Sequence, residues 1–113
     1  MKVEVLYIAG CPNHKPAVAR VQQALGATGL SAEIEELEVR DAAMAQRVGF
    51  LGSPSVRVDE LDVEKDARAT QSFGFGCRSY ADAGARTGLP SFDLIREALL
   101  EAAEPSEHAG AKV

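Results

Sequence analysis

The sequence predicts an α/β fold with the element order β-α-β-α-β-β-α, in which a four-stranded mixed sheet is flanked by helices. Three observations predict it. Residues 2 to 9 alternate as a strand, residues 14 to 28 carry apolar side chains at helical spacing, and residues 55 to 64 read as two short strands folded on a tight turn. At 113 residues and 46% hydrophobic content, the chain suffices for one compact domain and little more. That domain is expected over residues 1 to 103, with 65 to 90 as a long loop inserted between the last strand and the last helix. Residues 104 to 113 are small, polar and Pro-containing, and are expected to form a disordered tail that includes His108. Neither an internal repeat nor a second domain is visible.

The first strand sets Val3, Val5 and Tyr7 against Lys2, Glu4 and Leu6, then runs apolar through Ile8 and Ala9, as a strand that becomes buried on both faces does. The first helix turns Val18, Val21, Ala24 and Leu25 to one side and Arg20, Gln22 and Gln23 to the other. Pro16 must lie in its first turn, because a proline further in removes a hydrogen bond and clashes with the preceding turn. Asn13 therefore serves better than Cys11 as N-cap, and Gly26 and Gly29 end the helix. Residues 33 to 39 form a strand with an acidic outer face, and its glutamates Glu33, Glu35, Glu36 and Glu38 suit a solvated edge that deters further pairing. Asp41 caps a short helix through Val48, and Gly49 to Pro54 form a loop. Ser55 to Asp59 and Leu61 to Glu64 make a hairpin turning at Glu60. Residues 65 to 90 have no sustained period. Ser91 caps the last helix, whose apolar face is Phe92, Leu94, Ile95, Ala98 and Leu99.

Charge and composition exclude several classes of partner. The formal charge is −5 with no basic run, which argues against nucleic acid and against an anionic membrane surface. Trp is absent, so base stacking has little to work with. No apolar stretch approaches the roughly 18 residues of a membrane helix. Glu4 interrupts the N-terminal segment where a signal peptide would be apolar, so a cytoplasmic location is expected. Two cysteines, Cys11 and Cys77, do not make a secreted disulfide framework, and a reducing compartment argues against a permanent bridge. They are inert thiols, a redox pair or ligands for a soft metal.

Cys11 is the most informative position. It directly follows the first strand in Gly10-Cys11-Pro12-Asn13-His14 and precedes a helix. Backbone N–H groups and the helix dipole favour a thiolate at such a junction. Two further segments matter, Phe50-Leu51-Gly52-Ser53-Pro54-Ser55-Val56-Arg57-Val58-Asp59 and Cys77-Arg78-Ser79-Tyr80. With the element order, these segments make the chain resemble the thioredoxin-like superfamily. More narrowly it is similar to the small bacterial thioredoxin-fold proteins known as DF-family (seleno)proteins, also labelled alkylmercury-lyase-like, across the frame of residues 1 to 103. The resemblance implies that Cys11 heads the active-site helix and that Pro54 is a cis-proline beside it. A cis X-Pro bond lies only about 0.5–1 kcal/mol above trans, and a trans turn proline is the alternative. Selenocysteine near the first motif in some members implies redox work.

The chain departs from the dithiol pattern at His14, which stands where a second Cys would complete C-x-x-C. An intramolecular cycle must therefore use Cys77. In the fold implied, the hairpin returns to the Cys11 side, so residues 65 to 90 start there, and Gly74 and Gly76 let the backbone around Cys77 approach closely. A bridge needs Cα atoms within about 7 Å.

Each candidate has a plainer reading beside it. Cys11 and Cys77 are the expected nucleophile and resolving thiol, against two small incidental side chains. His14 either lowers the thiol pKa or takes its proton, or else is a solvated first-turn residue. Pro12, Asn13, Ser53, Pro54 and Arg78 are the expected substrate groove. Arg78 either holds Cys77 as a thiolate or binds an anion, or else pairs with a carboxylate. Ser53 and Ser55 suit turn and strand better than a hydrolase triad, and Tyr80 suits packing. Gly74-Phe75-Gly76 lacks the strand and helix of a dinucleotide fingerprint.

The favoured function is a thiol-dependent oxidoreductase without a cofactor. Cys11 would attack a disulfide or peroxide-type oxidant, and an external thiol or a protein disulfide would be the partner. Two alternatives stand beside it. One is a soft-metal or mercurial binding protein using Cys11, Cys77 and His14. The other is a non-catalytic thioredoxin-like scaffold with a free-valued thiol.

Overall fold

The computed structural model describes residues 1–82 and 84–104, with Asp82 described by its backbone only. The tail expected beyond residue 104 lies outside the described residues. Strand β1 (Lys2–Tyr7) runs parallel to β2 (Glu33–Glu38) and antiparallel to β3 (Ser55–Val58), which pairs antiparallel with β4 (Leu61–Asp62). The result is a four-stranded mixed sheet in the order β2-β1-β3-β4. The acidic strand β2 is an edge, as its glutamates predict.

Among the described residues, three α-helices cover the two faces of this sheet. Helices α1 (His14–Thr28) and α3 (Phe92–Ala103) share one face, where Ala17, Val21 and Ala24 meet Ile95, Ala98 and Leu99 over Val3, Val5, Val56 and Val58. Helix α2 (Ala42–Val48) covers the other face with a smaller core of Leu6, Val39, Ala45 and Phe50. Seven residues do not make a stable isolated helix, so α2 depends on its ends. Asp41 accepts from the Met44 amide at 2.8 Å, a cap of about 1 kcal/mol. Arg57 on β3 donates to the terminal carbonyls of Val48 and Gly49 at 2.6 and 2.8 Å, placing a cation at the negative end of the helix dipole.

Several boundaries differ from the sequence reading. Strand β1 stops at Tyr7, leaving Ile8 and Ala9 to the turn before α1. Gly26 lies inside α1, which continues to Thr28 and closes on Gly29 at φ 71°. The Thr28 hydroxyl donates to the carbonyls of Ala24 and Leu25 at 3.0 and 3.1 Å, so the last turn is tied past the glycine. Pro16 does sit in the first turn. The hairpin is shorter than expected, and Asp59 and Glu60 form its reversal with positive φ of 48° and 74°.

The segment expected as a plain loop over 65 to 90 is partly regular. It opens with a 3-10 turn at Lys65–Ala67 and contains an antiparallel pair, β5 (Tyr80–Asp82) with β6 (Ala85–Thr87). Strands of three residues are too short to show alternation, which is why periodicity missed them. Among the described residues no helix is long and apolar enough to cross a membrane.

Candidate functional site

The turn between β1 and α1 presents Cys11 half-exposed and unbridged. Its amide donates to the Ile8 carbonyl at 3.2 Å, and its carbonyl accepts from the His14 amide at 3.3 Å, so both its backbone groups are held. Asn13 occupies the N-cap position, but its side chain makes no capping bond. It packs instead against Gly88, so closely that a Cβ added there would require the Asn13 amide to move aside. The connection into α3 is thereby pressed onto the start of α1.

His14 is not the solvated first-turn residue that one reading expected. Its side chain is only 12% exposed. The ring lies flat on Tyr7, with centroids 3.5 Å apart, and its Nε2 is hydrogen-bonded to the Glu36 carboxylate on β2. Action on Cys11 therefore requires Nδ1 or departure from this seat.

The loop before β3 lies next to this turn. Ser53-Pro54 is a cis peptide bond. The Ser53 hydroxyl accepts from the Ile8 amide at 3.1 Å, which ties the loop to the residue that also holds the Cys11 amide. Ser55 donates to the Gly52 carbonyl at 2.6 Å, so both serines act as turn and strand residues.

Cys77 belongs to a segment that runs alongside this same loop. Gly74 donates to the Phe50 carbonyl at 3.1 Å, Ser53 to the Gly76 carbonyl at 2.8 Å, and Arg78 to the Ser53 carbonyl at 3.0 Å. Ser53 and Cys77 thus face each other as a parallel bridge pair. Gly52 permits the approach: a Cβ there would stand 2.7 Å from the Arg78 Cβ and 3.1 Å from the Cys77 carbonyl oxygen. Cys77 itself is exposed, on the wall of an open groove shared with Leu51, Ser72 and Phe75.

Successive side chains of an extended segment point to opposite sides. Where Cys77 points out, Arg78 points in, and only 6% of its side chain is exposed. Its guanidinium makes a paired contact with Asp62 at 2.8 and 2.9 Å, reaches Glu64 at 3.1 Å and Ser55 at 3.1 Å, and lies 4.4 Å from the Tyr80 ring centre. Burial works against the charge, but the bonds to Asp62 and Glu64 outweigh it, and the Arg78 pKa rises above its usual value. Of the two readings of Arg78, the carboxylate pairing is the one observed.

Tyr80 completes the arrangement. It is fully buried and donates its hydroxyl to the Pro54 carbonyl. Burial raises its pKa, against the opposing charge of Arg78 and with support from Asp62 and Glu64. The folded value lies above the unfolded value of about 10, so this contribution to stability is complete below that pH and is lost as pH rises through the folded value. In an alkaline titration the Tyr80 phenolate absorbance is expected only together with loss of near-ultraviolet dichroism. Ionisation of Tyr80 in the intact fold near pH 10 would refute its burial.

Sequence reasoning missed Asp62, Glu64 and Gly52. Asp62 and Glu64 read only as part of the second arm of a hairpin, and nothing local marks a carboxylate such as Asp62 whose partner is 16 residues away. Among the described residues no three His, Cys, Asp or Glu side chains are grouped to hold a metal ion. Compared with protein-family models, curated proteins and solved structures, the chain matches none. The site is therefore read from its own geometry.

Proposed function

We propose that this chain is a thiol-dependent oxidoreductase of thioredoxin-like architecture, with Cys11 as nucleophile and Cys77 as resolving thiol. One observation carries the reading. The segments bearing the two free thiols are both hydrogen-bonded to Ser53, one through the Ile8 amide and the other through Gly76 and Arg78. The order of the sheet, with a cis-proline loop entering β3 beside the β1–α1 turn, also supports it.

In the cycle, Cys11 loses its proton to solvent and its thiolate attacks one sulfur of a disulfide. The sulfur–sulfur bond breaks, and the second sulfur leaves as a thiolate that takes up a proton. The Cys77 thiolate then attacks the Cys11 sulfur, expels the remaining substrate thiolate and closes an internal disulfide. Two protein thiols have given two electrons to the substrate disulfide, and external thiols return them.

The test is intact mass with thiol alkylation across a series of glutathione redox ratios. The expected result is a reversible loss of two hydrogens with Cys11 and Cys77 protected together. Cys77→Ser should instead accumulate a mixed disulfide at Cys11, and Cys11→Ser should abolish turnover. Two independently alkylated thiols at every ratio would end the proposal.

A further inference from the structure

The segment that carries Cys77 also fills the edge of the loop at residues 50–53, to which the Cys11 turn is tied through Ile8. From Phe73 to Arg78 it runs along residues 50 to 53. The Gln46 side chain holds the Phe73 carbonyl at 2.8 Å, and the three backbone bonds at Gly74, Gly76 and Arg78 follow in order. The consequence is clearest at Ser53. Its amide donates to Gly76, its carbonyl accepts from Arg78, and its hydroxyl accepts from Ile8. Both main-chain groups of Ser53 are thus taken.

An extended polypeptide docks on a sheet or loop edge by offering its own N–H and C=O groups to free ones. At Ser53 that position is taken by Cys77, and the Cβ-sized gap at Gly52 is already closed by the Arg78 backbone. A polypeptide would have to displace the segment. Displacement breaks the backbone bonds and pulls Arg78 away from Asp62 and Glu64, leaving the buried Asp62 carboxylate and the partly buried Glu64 carboxylate without their guanidinium partner. A small disulfide needs none of this. It requires only an in-line approach to the sulfur of Cys11, which is half-exposed.

We infer that residues 73–78 are a built-in strand occupying the main-chain edge at residues 50–53, so that the Cys11 site takes low-molecular-weight disulfides rather than extended polypeptide chains. The inference rests on the thiol reading above. Exchange with such a disulfide, RSSR, is balanced as given there: each turnover yields two RSH and one internal protein disulfide.

The test compares two substrates that share a leaving group: glutathione disulfide, and an eight-residue unstructured peptide carrying glutathione on a central cysteine. Loss of the Cys11 thiol is followed by acid quench, alkylation and mass, with each rate divided by that for dithiothreitol attacking the same substrate. The peptide is expected to react at least about tenfold more slowly in these units, the factor set by two displaced main-chain hydrogen bonds. Amide exchange on the same protein should find the Ser53 and Arg78 amides protected.

Equal normalised rates would overturn the inference and leave the thiol chemistry standing. Free-peptide exchange at Ser53 and Arg78 would overturn it as well, because the edge would then be open. Failure of Cys11 to react with either substrate would overturn the thiol reading, and this inference with it.

Discussion

Arg78→Met is expected to cost about 3–5 kcal/mol of unfolding free energy, because it strands Asp62 in the interior. Asp62 is 6% exposed and has both carboxylate oxygens on the Arg78 guanidinium. Methionine fills much of the volume and keeps a contact with Tyr80, so the loss is chiefly electrostatic. The partner variant separates pairing from packing. Asp62→Asn leaves Arg78 bonded to Glu64 and Ser55, and its cost should fall to about 1–3 kcal/mol. Converting both, Arg78→Met with Asp62→Leu, should recover most of the single-variant loss, since a buried pair is often no more stabilising than apolar side chains of similar volume. Urea denaturation of the four proteins measures all of this. An Arg78→Met protein as stable as wild type would mean that the buried pair does not form.

The second large effect is expected at Gly52. Its φ of +116° is one that side chains rarely adopt, and an added Cβ would lie 2.7 Å from the Arg78 Cβ. That neighbour is an atom next to the backbone, so it cannot swing aside as a side-chain tip would. Backbone strain of about 1–3 kcal/mol and overpacking of about 1–3 kcal/mol act together in Gly52→Ala. The cheapest relief is to move the Cys77 segment off the loop. The variant should therefore melt lower and expose Cys77 to faster alkylation in the same experiment. Gly74→Ala is the control, since nothing lies within 4 Å of its added Cβ, and it should change stability by less than about 1 kcal/mol. Similar behaviour in the two alanine variants would show that Gly52 is not the contact holding the segment.

The two variants press on one junction from opposite sides. Arg78 anchors the segment from within, and Gly52 lets it come close. Both set where Cys77 stands relative to the loop that the Cys11 turn is tied to.

How much of this was legible in the sequence depends on how far apart the causes lie. Apolar spacing of three and four residues in α1 and α3, and the cap residues Asp41, Ser91 and Gly29, act over one or two turns, so those helices fall where the pattern places them. The edge position of β2 follows from its own glutamates. The strands β5 and β6 were not legible, because three-residue strands carry no period and are held by a partner that sequence does not identify. The same limit applies at the site. Cys11 announces itself by its place between a strand and a helix. Arg78 does not, because its role depends on Asp62, Glu64 and Ser55, which come from other parts of the chain.

The sequence by itself determined the order of the three helices and of the four strands of the main sheet, the junction that holds Cys11, the absence of a second cysteine at His14, and the segment that carries the other thiol. Those properties follow from side-chain type and short-range spacing. Only the tertiary structure decided that His14 is seated between Tyr7 and Glu36, that Arg78 is buried on Asp62, and that Cys77 faces Ser53. The physical reason is the same in each case. A hydrogen bond or ion pair gains its value when both groups leave water together, and which group a side chain meets there is set by how distant segments pack.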